Sequence, residues 1–185
     1  MVYRMNIAGL ERDLPICRVT DDLYIAGFVV FGDQELTVAC ARELLKIAPE
    51  YDYIITAEAK GIPLAHEMAR QAGRNDYVVA RKGSKLYMTN IISTEVDSIT
   101  TDHIQTLCIG QAEADLLRGR RVLIVDDVIS TGESLQAIEF LVEKAGGNIV
   151  GKARVLAEGD AIGRDDIIFA QRNTGKSNGF FDCFS

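Results

Sequence analysis

The sequence predicts an α/β fold, a parallel sheet flanked by helices. Three observations predict it. Short Val/Ile-rich runs alternate with amphipathic stretches along most of the chain. The runs are apolar throughout rather than at every second residue, as in strands buried on both faces. The 185 residues, 48% hydrophobic and 25% charged, suit one globular domain with a sizeable core.

The elements follow in order. Gln34 to Ala48 places Leu36, Ala39, Cys40, Leu44 and Ile47 on one helical face, with Asp33 as N-cap. Tyr53 to Ala57 is a buried strand. Ile62 to Ala72 is a shorter helix with Pro63 in its first turn. Tyr77 to Ala80 is a second strand. Val122 to Val125 is the clearest third, and Ile149 to Leu156 the fourth. Glu133 to Ala145 is a helix with Leu135, Ile138, Leu141 and Val142 as its buried stripe, stopped by Gly146 and Gly147. Two regions break the alternation. Arg81 to Gly110 is polar and Thr/Ser-rich, a long loop or an antiparallel excursion, and loops of that length are usually functional. Gln171 to Ser185 is a Gly/Asn/Lys-rich tail whose Phe180, Phe181 and Phe184 suit docking on a partner subunit.

Charge and composition exclude several classes. There are 20 Lys+Arg against 27 Asp+Glu, a net charge of −7, so non-specific binding to nucleic acid is disfavoured. The longest apolar run, Ile25 to Phe31, is far short of the ~20 residues that span a bilayer. The N-terminus has no apolar signal-peptide region. Cys17, Cys40, Cys108 and Cys183 lie far apart without C-x-x-C spacing, as expected of free thiols in a cytoplasmic protein. With His66 and His103 as the only histidines, neither a histidine metal site nor a Ser-His-Asp triad is expected. Gly175-Lys176-Ser177 resembles the end of a P-loop, but position 170 is Ala.

The most informative stretch is Arg121-Val122-Leu123-Ile124-Val125-Asp126-Asp127-Val128-Ile129-Ser130-Thr131-Gly132-Glu133-Ser134. An apolar strand delivers two carboxylates, and a loop of small hydroxyl residues then opens a helix. Ligands of open α/β sheets bind outside the carboxyl ends of the strands. A helix N-terminus with free N–H groups attracts an anion. Ser130, Thr131 and Ser134 add hydroxyl donors, and Gly132 lets the backbone approach closely. The loop is built for a phosphate monoester. Asp126 and Asp127 repel that phosphate and suit sugar hydroxyls or a magnesium ion, reached directly or through water. A phosphate, a sugar diol and a metal together describe a phosphorylated ribose.

Val122 to Ser134 resembles the 5-phosphoribosyl-1-pyrophosphate (PRPP) motif of the type I phosphoribosyltransferases. The resemblance covers about Gln34 to Asp166 and is nearest to the adenine-type purine branch. It implies a Rossmann-like parallel sheet flanked by helices, with a hood at 1–33, a core at 34–170, a tail at 171–185 and a long mobile loop. It implies that Ser130, Thr131, Gly132, Glu133 and Ser134 hold the ribose 5-phosphate, and that Asp126 and Asp127 address the ribose hydroxyls. Glu58-Ala59-Lys60-Gly61 also ends a strand and opens a helix, and resembles the family's pyrophosphate loop. That loop often carries a cis peptide, here expected at Ala59–Lys60. Lys60 stands where the adenine enzymes commonly have Arg, so a bidentate fork becomes a point donor. Arg81, Lys82 and Lys85 resemble the start of the mobile catalytic loop, which often reaches the pyrophosphate of a neighbouring subunit, so a homodimer is implied. Asn90 to Ser98 loosely resembles the part of the adenine enzymes that holds a glutamate near the base, which makes Glu95 a candidate catalytic acid toward purine N7.

The resemblance implies transfer of the 5-phosphoribosyl group from PRPP to a purine, with magnesium. Adenine, giving AMP and pyrophosphate, is the first expectation. Hypoxanthine/guanine or xanthine enzymes are the alternatives, with a non-catalytic PRPP-binding regulator as the rival of another class. Phe28 and Phe31 are each either core residues or purine-stacking residues of the hood, and the base-binding set is left open.

Overall fold

The computed structural model describes residues 2–18, 24–96, 105–129, 133–157 and 167–170. A five-stranded sheet forms the centre. Its strands are β4 (Tyr53–Ala57), β5 (Val78–Ala80), β8 (Arg121–Ile129), β9 (Asn148–Ala157) and β10 (Ile168–Phe169), in the order β10-β9-β8-β4-β5. All four pairings are parallel. Alternate residues of β8 serve opposite layers. Val122 and Ile124 pack with α4 (Glu133–Ala145) and α3 (Gln111–Leu117). Leu123 and Val125 pack with α1 (Gln34–Ile47) and α2 (Ile62–Gln71). That two-sided burial explains the unbroken apolar runs.

Asp33 caps α1 as expected, accepting from Leu36 N at 3.0 Å. The expected helices and strands appear within a residue or so, except the third strand. β8 does not stop at Val125: it runs through Asp126 and Asp127 to Ile129, held by the ten-residue β9 beside it. The acidic pair therefore sits inside the hydrogen-bonded ladder rather than beyond it.

The N-terminal region is a three-stranded antiparallel sheet of β1 (Val2–Ile7), β2 (Leu10–Arg18) and β3 (Tyr24–Ala26). Ala8 and Gly9, with φ of 51° and 86°, make the two-residue turn between β1 and β2. Met5, Ile7, Leu14 and Ala26 join the α1/α2 core, so this sheet is seated on the domain. Arg12 fastens it: its guanidinium donates to Asp33 Oδ2 (2.6 Å), Asp33 Oδ1 (3.1 Å) and Glu35 Oε2 (2.8 Å).

The described residues of Arg81 to Gly110 include an antiparallel pair of strands. β6 (Ile92–Val96) pairs with β7 (Gln105–Ile109), and an antiparallel bridge joins Arg81 to Cys108. α3 follows, opened by Glu113 Oε2 accepting from Gly110 N at 3.0 Å. Cys40 and Cys108 are buried free thiols and Cys17 is an exposed one; burial pushes the Cys40 thiol up to about 12. No described helix is long and apolar enough to cross a membrane.

Candidate active site

The carboxyl ends of β4, β5 and β8 lie side by side and bring the expected residues together. Ala57 is in register with Ala80, and Glu58 N donates to Ala80 O at 2.9 Å. Glu58 then turns back on the next strand end. Its Oε2 accepts from Lys82 N at 2.9 Å and lies 3.4 Å from Arg81 Nε. The two basic-loop residues are thus anchored to the pyrophosphate-type loop through Glu58. The cis peptide of that loop is Glu58–Ala59, one bond before the expected Ala59–Lys60.

Gly61 shows why the loop must be so small. A Cβ there would collide with Thr56 Oγ1 and lie 2.8 Å from Asp126 Oδ1. The backbone leading into α2 is therefore pressed against the end of β8. This close approach brings Lys60 to the acidic pair: Lys60 Nζ is 3.5 Å from Asp127 Oδ2. Asp127 is 3% exposed. Burial, with the neighbouring Asp127 charge, pushes the Asp126 carboxyl above the usual carboxylate range, against the opposing pull of Arg154 on β9.

Unpartnered buried polar atoms mark the same place. Thr56 Oγ1, Arg81 Nε and Asp127 Oδ2 are buried without a hydrogen-bond partner. Thr56 lies in β4, Arg81 directly follows β5 and Asp127 lies in β8, on three neighbouring strands. Buried groups are seldom left so, and their concentration at adjoining strand ends suits a polar ligand. Sequence reasoning missed Thr56; its signal was a hydroxyl in an otherwise apolar strand, at the strand's C-terminal end.

The other expected residues are placed as follows. Glu133 and Ser134 open α4, whereas Ser130, Thr131 and Gly132 lie outside the described residues. Ala59, Lys82 and Lys85 are exposed. Glu95 is exposed on β6, opposite Thr106, and no described hydrogen bond or ion pair joins it to the acidic pair. Phe28 is core, at 4% exposed, while Phe31 stands out at 49%.

Among the described residues no group of three or more His, Cys, Asp or Glu is poised around one point. The donor set fits magnesium of the kind that keeps its waters and takes one or two carboxylates plus substrate oxygens. Asp127 Oδ2, which has no hydrogen bond and faces Lys60 Nζ at 3.5 Å, is the oxygen that would serve it once Lys60 turns away.

Comparisons with known proteins bear on the family and the fold. The phosphoribosyl transferase domain model matches residues 33–181. An adenine phosphoribosyltransferase of Rhodococcus jostii is 35% identical over 139 residues, covering 74% of each chain. A hypoxanthine/guanine phosphoribosyltransferase of Methanococcus voltae is 34% identical over 139 residues, covering 72% of this chain and 67% of the relative. The crystal structure of adenine phosphoribosyltransferase from Thermoanaerobacter pseudethanolicus superposes with a TM-score of 0.63 at 27% identity, covering 76% of this chain and 81% of that one. Strand order, acidic pair and matched domain converge on one conclusion: the chain belongs to the phosphoribosyl transferase domain family and is a phosphoribosyltransferase of the type I fold.

Proposed function

We propose that the protein transfers the 5-phosphoribosyl group of PRPP to adenine, giving AMP and pyrophosphate. The observation that carries this reading is the meeting of Lys60 with Asp127 and of Gly61 with Asp126. It joins a cation for the diphosphate to carboxylates for the ribose at adjoining strand ends. A nitrogen of the base forms a bond to C1 of the ribose as the C1–O bond to pyrophosphate breaks. The base loses its N–H proton to water. The electron pair of the broken bond leaves with the pyrophosphate.

The transition state resembles the oxocarbenium ion of glycoside hydrolysis, so positioning and electrostatics do most of the work. Asp126 and Asp127 accept from the ribose hydroxyls. Lys60, Arg81, Lys82 and Lys85 neutralise the leaving group. Glu133 and Ser134, with Ser130 to Gly132, take the 5-phosphate at the start of α4. Magnesium, when bound, neutralises diphosphate charge, and Asp126 and Asp127 would hold it directly or through water. Glu95 is the candidate acid toward the base. The protein works as a homodimer, a reading supported by Leu86 and Tyr87, which stand exposed beside Lys85.

Adenine is favoured by the Rhodococcus jostii relative, and a 6-oxopurine is the second reading because the Methanococcus voltae relative is almost as similar. The test is PRPP-dependent conversion of adenine, hypoxanthine, guanine and xanthine to nucleotides with magnesium, scored by pyrophosphate release. Turnover of adenine at the highest kcat/KM is expected. Preference for another purine replaces adenine. PRPP binding without turnover of any base replaces the enzyme with a PRPP-binding regulator.

A further inference from the structure

Arg154 is 1% exposed, the largest fully buried side chain and the one buried cation among the described residues. It lies on β9 directly in register with Asp126 on β8. Adjacent strands run about 5 Å apart, and registered residues project from the same face. Two residues earlier on that face, Lys152 is ion-paired with Glu139 of α4, so the face looks toward α4. Arg154 Nη1 donates to Ala153 O at 3.2 Å, and its carbonyl accepts from Ala170 N at 3.0 Å, which ties the residue to the β10 edge. A guanidinium is expensive to bury and persists where a carboxylate compensates it.

The acidic pair has the complementary difficulty. Asp126 and Asp127 are adjacent carboxylates, and like charges this close repel. Lys60, 53% exposed, meets Asp127 from outside. Arg154 is the cation on the inner side, next to Asp126. The two cations differ in kind: Lys60 is free to turn toward a diphosphate, while Arg154 is locked in the sheet.

We propose that Arg154 is a positioning residue of the phosphoribosyl site, holding the Asp126 side chain from within the sheet so that it is directed at the ribose. This rests on the phosphoribosyl reading above. When Lys60 turns to the pyrophosphate, Arg154 remains to offset the acidic pair beside a polyanionic substrate.

The test uses Arg154→Met, Arg154→Lys, Asp126→Asn and the Arg154→Met/Asp126→Asn double variant. Thermal unfolding of the four and wild type makes a cycle that needs no ligand. Calorimetry with PRPP and magnesium gives the affinity, and steady-state kinetics give the KM of each substrate. Arg154→Met is expected to lower Tm in the wild-type background and far less in the Asp126→Asn background. It should weaken PRPP binding by about tenfold or more with the KM for the base unchanged, and Arg154→Lys should recover most of that loss.

Equal Tm losses in both backgrounds overturn the proposal. So does a folded Arg154→Met that binds PRPP within about twofold of wild type, or an Arg154→Lys no better than Arg154→Met. If Arg154→Met fails to fold, the double variant decides: a folded double variant supports the pairing and an unfolded one overturns it. Wild-type protein that binds no PRPP overturns the functional reading and with it the ribose role, while the thermal cycle still decides whether Arg154 serves Asp126.

Discussion

Lys60 Nζ lies 3.5 Å from Asp127 Oδ2, so a cation assigned to the diphosphate is the partner of a carboxylate assigned to the ribose. On the proposed reading, binding of PRPP exchanges this pair for contacts to substrate. Lys60→Met removes the diphosphate contact and leaves a buried carboxylate uncompensated. PRPP affinity should fall about tenfold or more by calorimetry, with a small loss of Tm. Lys60→Arg should retain most of the affinity. A Lys60→Met protein that binds PRPP as tightly as wild type removes Lys60 from the site.

Gly61→Ala tests the close approach of α2 to β8. The new Cβ meets Thr56 Oγ1 and lies 2.8 Å from Asp126 Oδ1, so either the loop or Asp126 must move. The expected cost is about 1–3 kcal/mol of stability, with PRPP binding lost. Adding Thr56→Ala should relieve part of the strain and not all, because Asp126 remains in contact. Unchanged PRPP affinity in Gly61→Ala would mean that this packing does not shape the site.

The α1–α2 contact predicts an acid-sensitive component of stability. Glu67 accepts from Arg70 Nη2 (2.7 Å), Arg70 Nε (2.8 Å) and Gln71 Nε2 (2.8 Å), while Gln71 Nε2 also donates to Val38 O on α1 (3.0 Å). Arg70 first, then Gln71, pulls the Glu67 carboxyl down to about 2 against burial. The folded value lies below the unfolded one, so the stabilisation is full above about pH 4.5 and disappears as pH falls toward 2. Glu67→Gln should cost about 1 kcal/mol near pH 7, a figure kept small because Arg70 is 62% exposed. The difference between variant and wild type should vanish near pH 2. A pH-independent difference would show that shape rather than charge matters there.

Leu86 and Tyr87 bear on assembly. Leu86 is fully exposed and Tyr87 is 71% exposed, close after the anchored residues Arg81 and Lys82. Leu86→Glu with Tyr87→Glu should convert a dimer to monomers in sedimentation velocity, leaving Tm nearly unchanged because neither side chain is packed. A dimer that survives both substitutions places the interface elsewhere.

Glu95 separates binding from chemistry. On exposed β6 it contributes little to stability, so Glu95→Gln should fold normally and bind PRPP as wild type. If it acts on the base, kcat should fall by about 10²-fold, the usual scale for general acid catalysis. An unchanged kcat takes it out of the mechanism.

Much of the central layer was legible in the sequence, because strands buried on both faces leave continuous apolar runs such as Val122 to Val125. The N-terminal sheet was not. Its turn uses Ala8 in a positive-φ position where Asn or Gly is the usual signal, and β2 mixes Glu, Arg, Asp and Pro with few apolar residues. The extent of β8 was also hidden, since adjacent aspartates argue against a strand until a long partner such as β9 is known. The charged residues at the ends of β4 and β5 drew notice in the sequence, and the structure brings Lys60 to Asp127 and Glu58 to Arg81 and Lys82; the hydroxyl residues 130–132 lie outside the described residues. Arg154 was not, because only the β8–β9 register shows that it stands beside Asp126. The cis peptide was displaced by one bond because side-chain chemistry does not specify which peptide in Glu58-Ala59-Lys60 inverts.

The brevity of the outermost strands of the described sheet bears on behaviour in a crowded solution. β5 has three residues and β10 two, and the chain leaving β5 is at once engaged by the Arg81–Cys108 bridge. The β5 border offers no long row of unsatisfied amides to a passing strand. A chain whose interior strands are as apolar as β4 and β8 would otherwise be prone to edge-to-edge fibre growth. A short β5 opposes such growth by geometry, so substitutions that lengthen β5 past Arg81 should promote aggregation even where they raise local strand propensity.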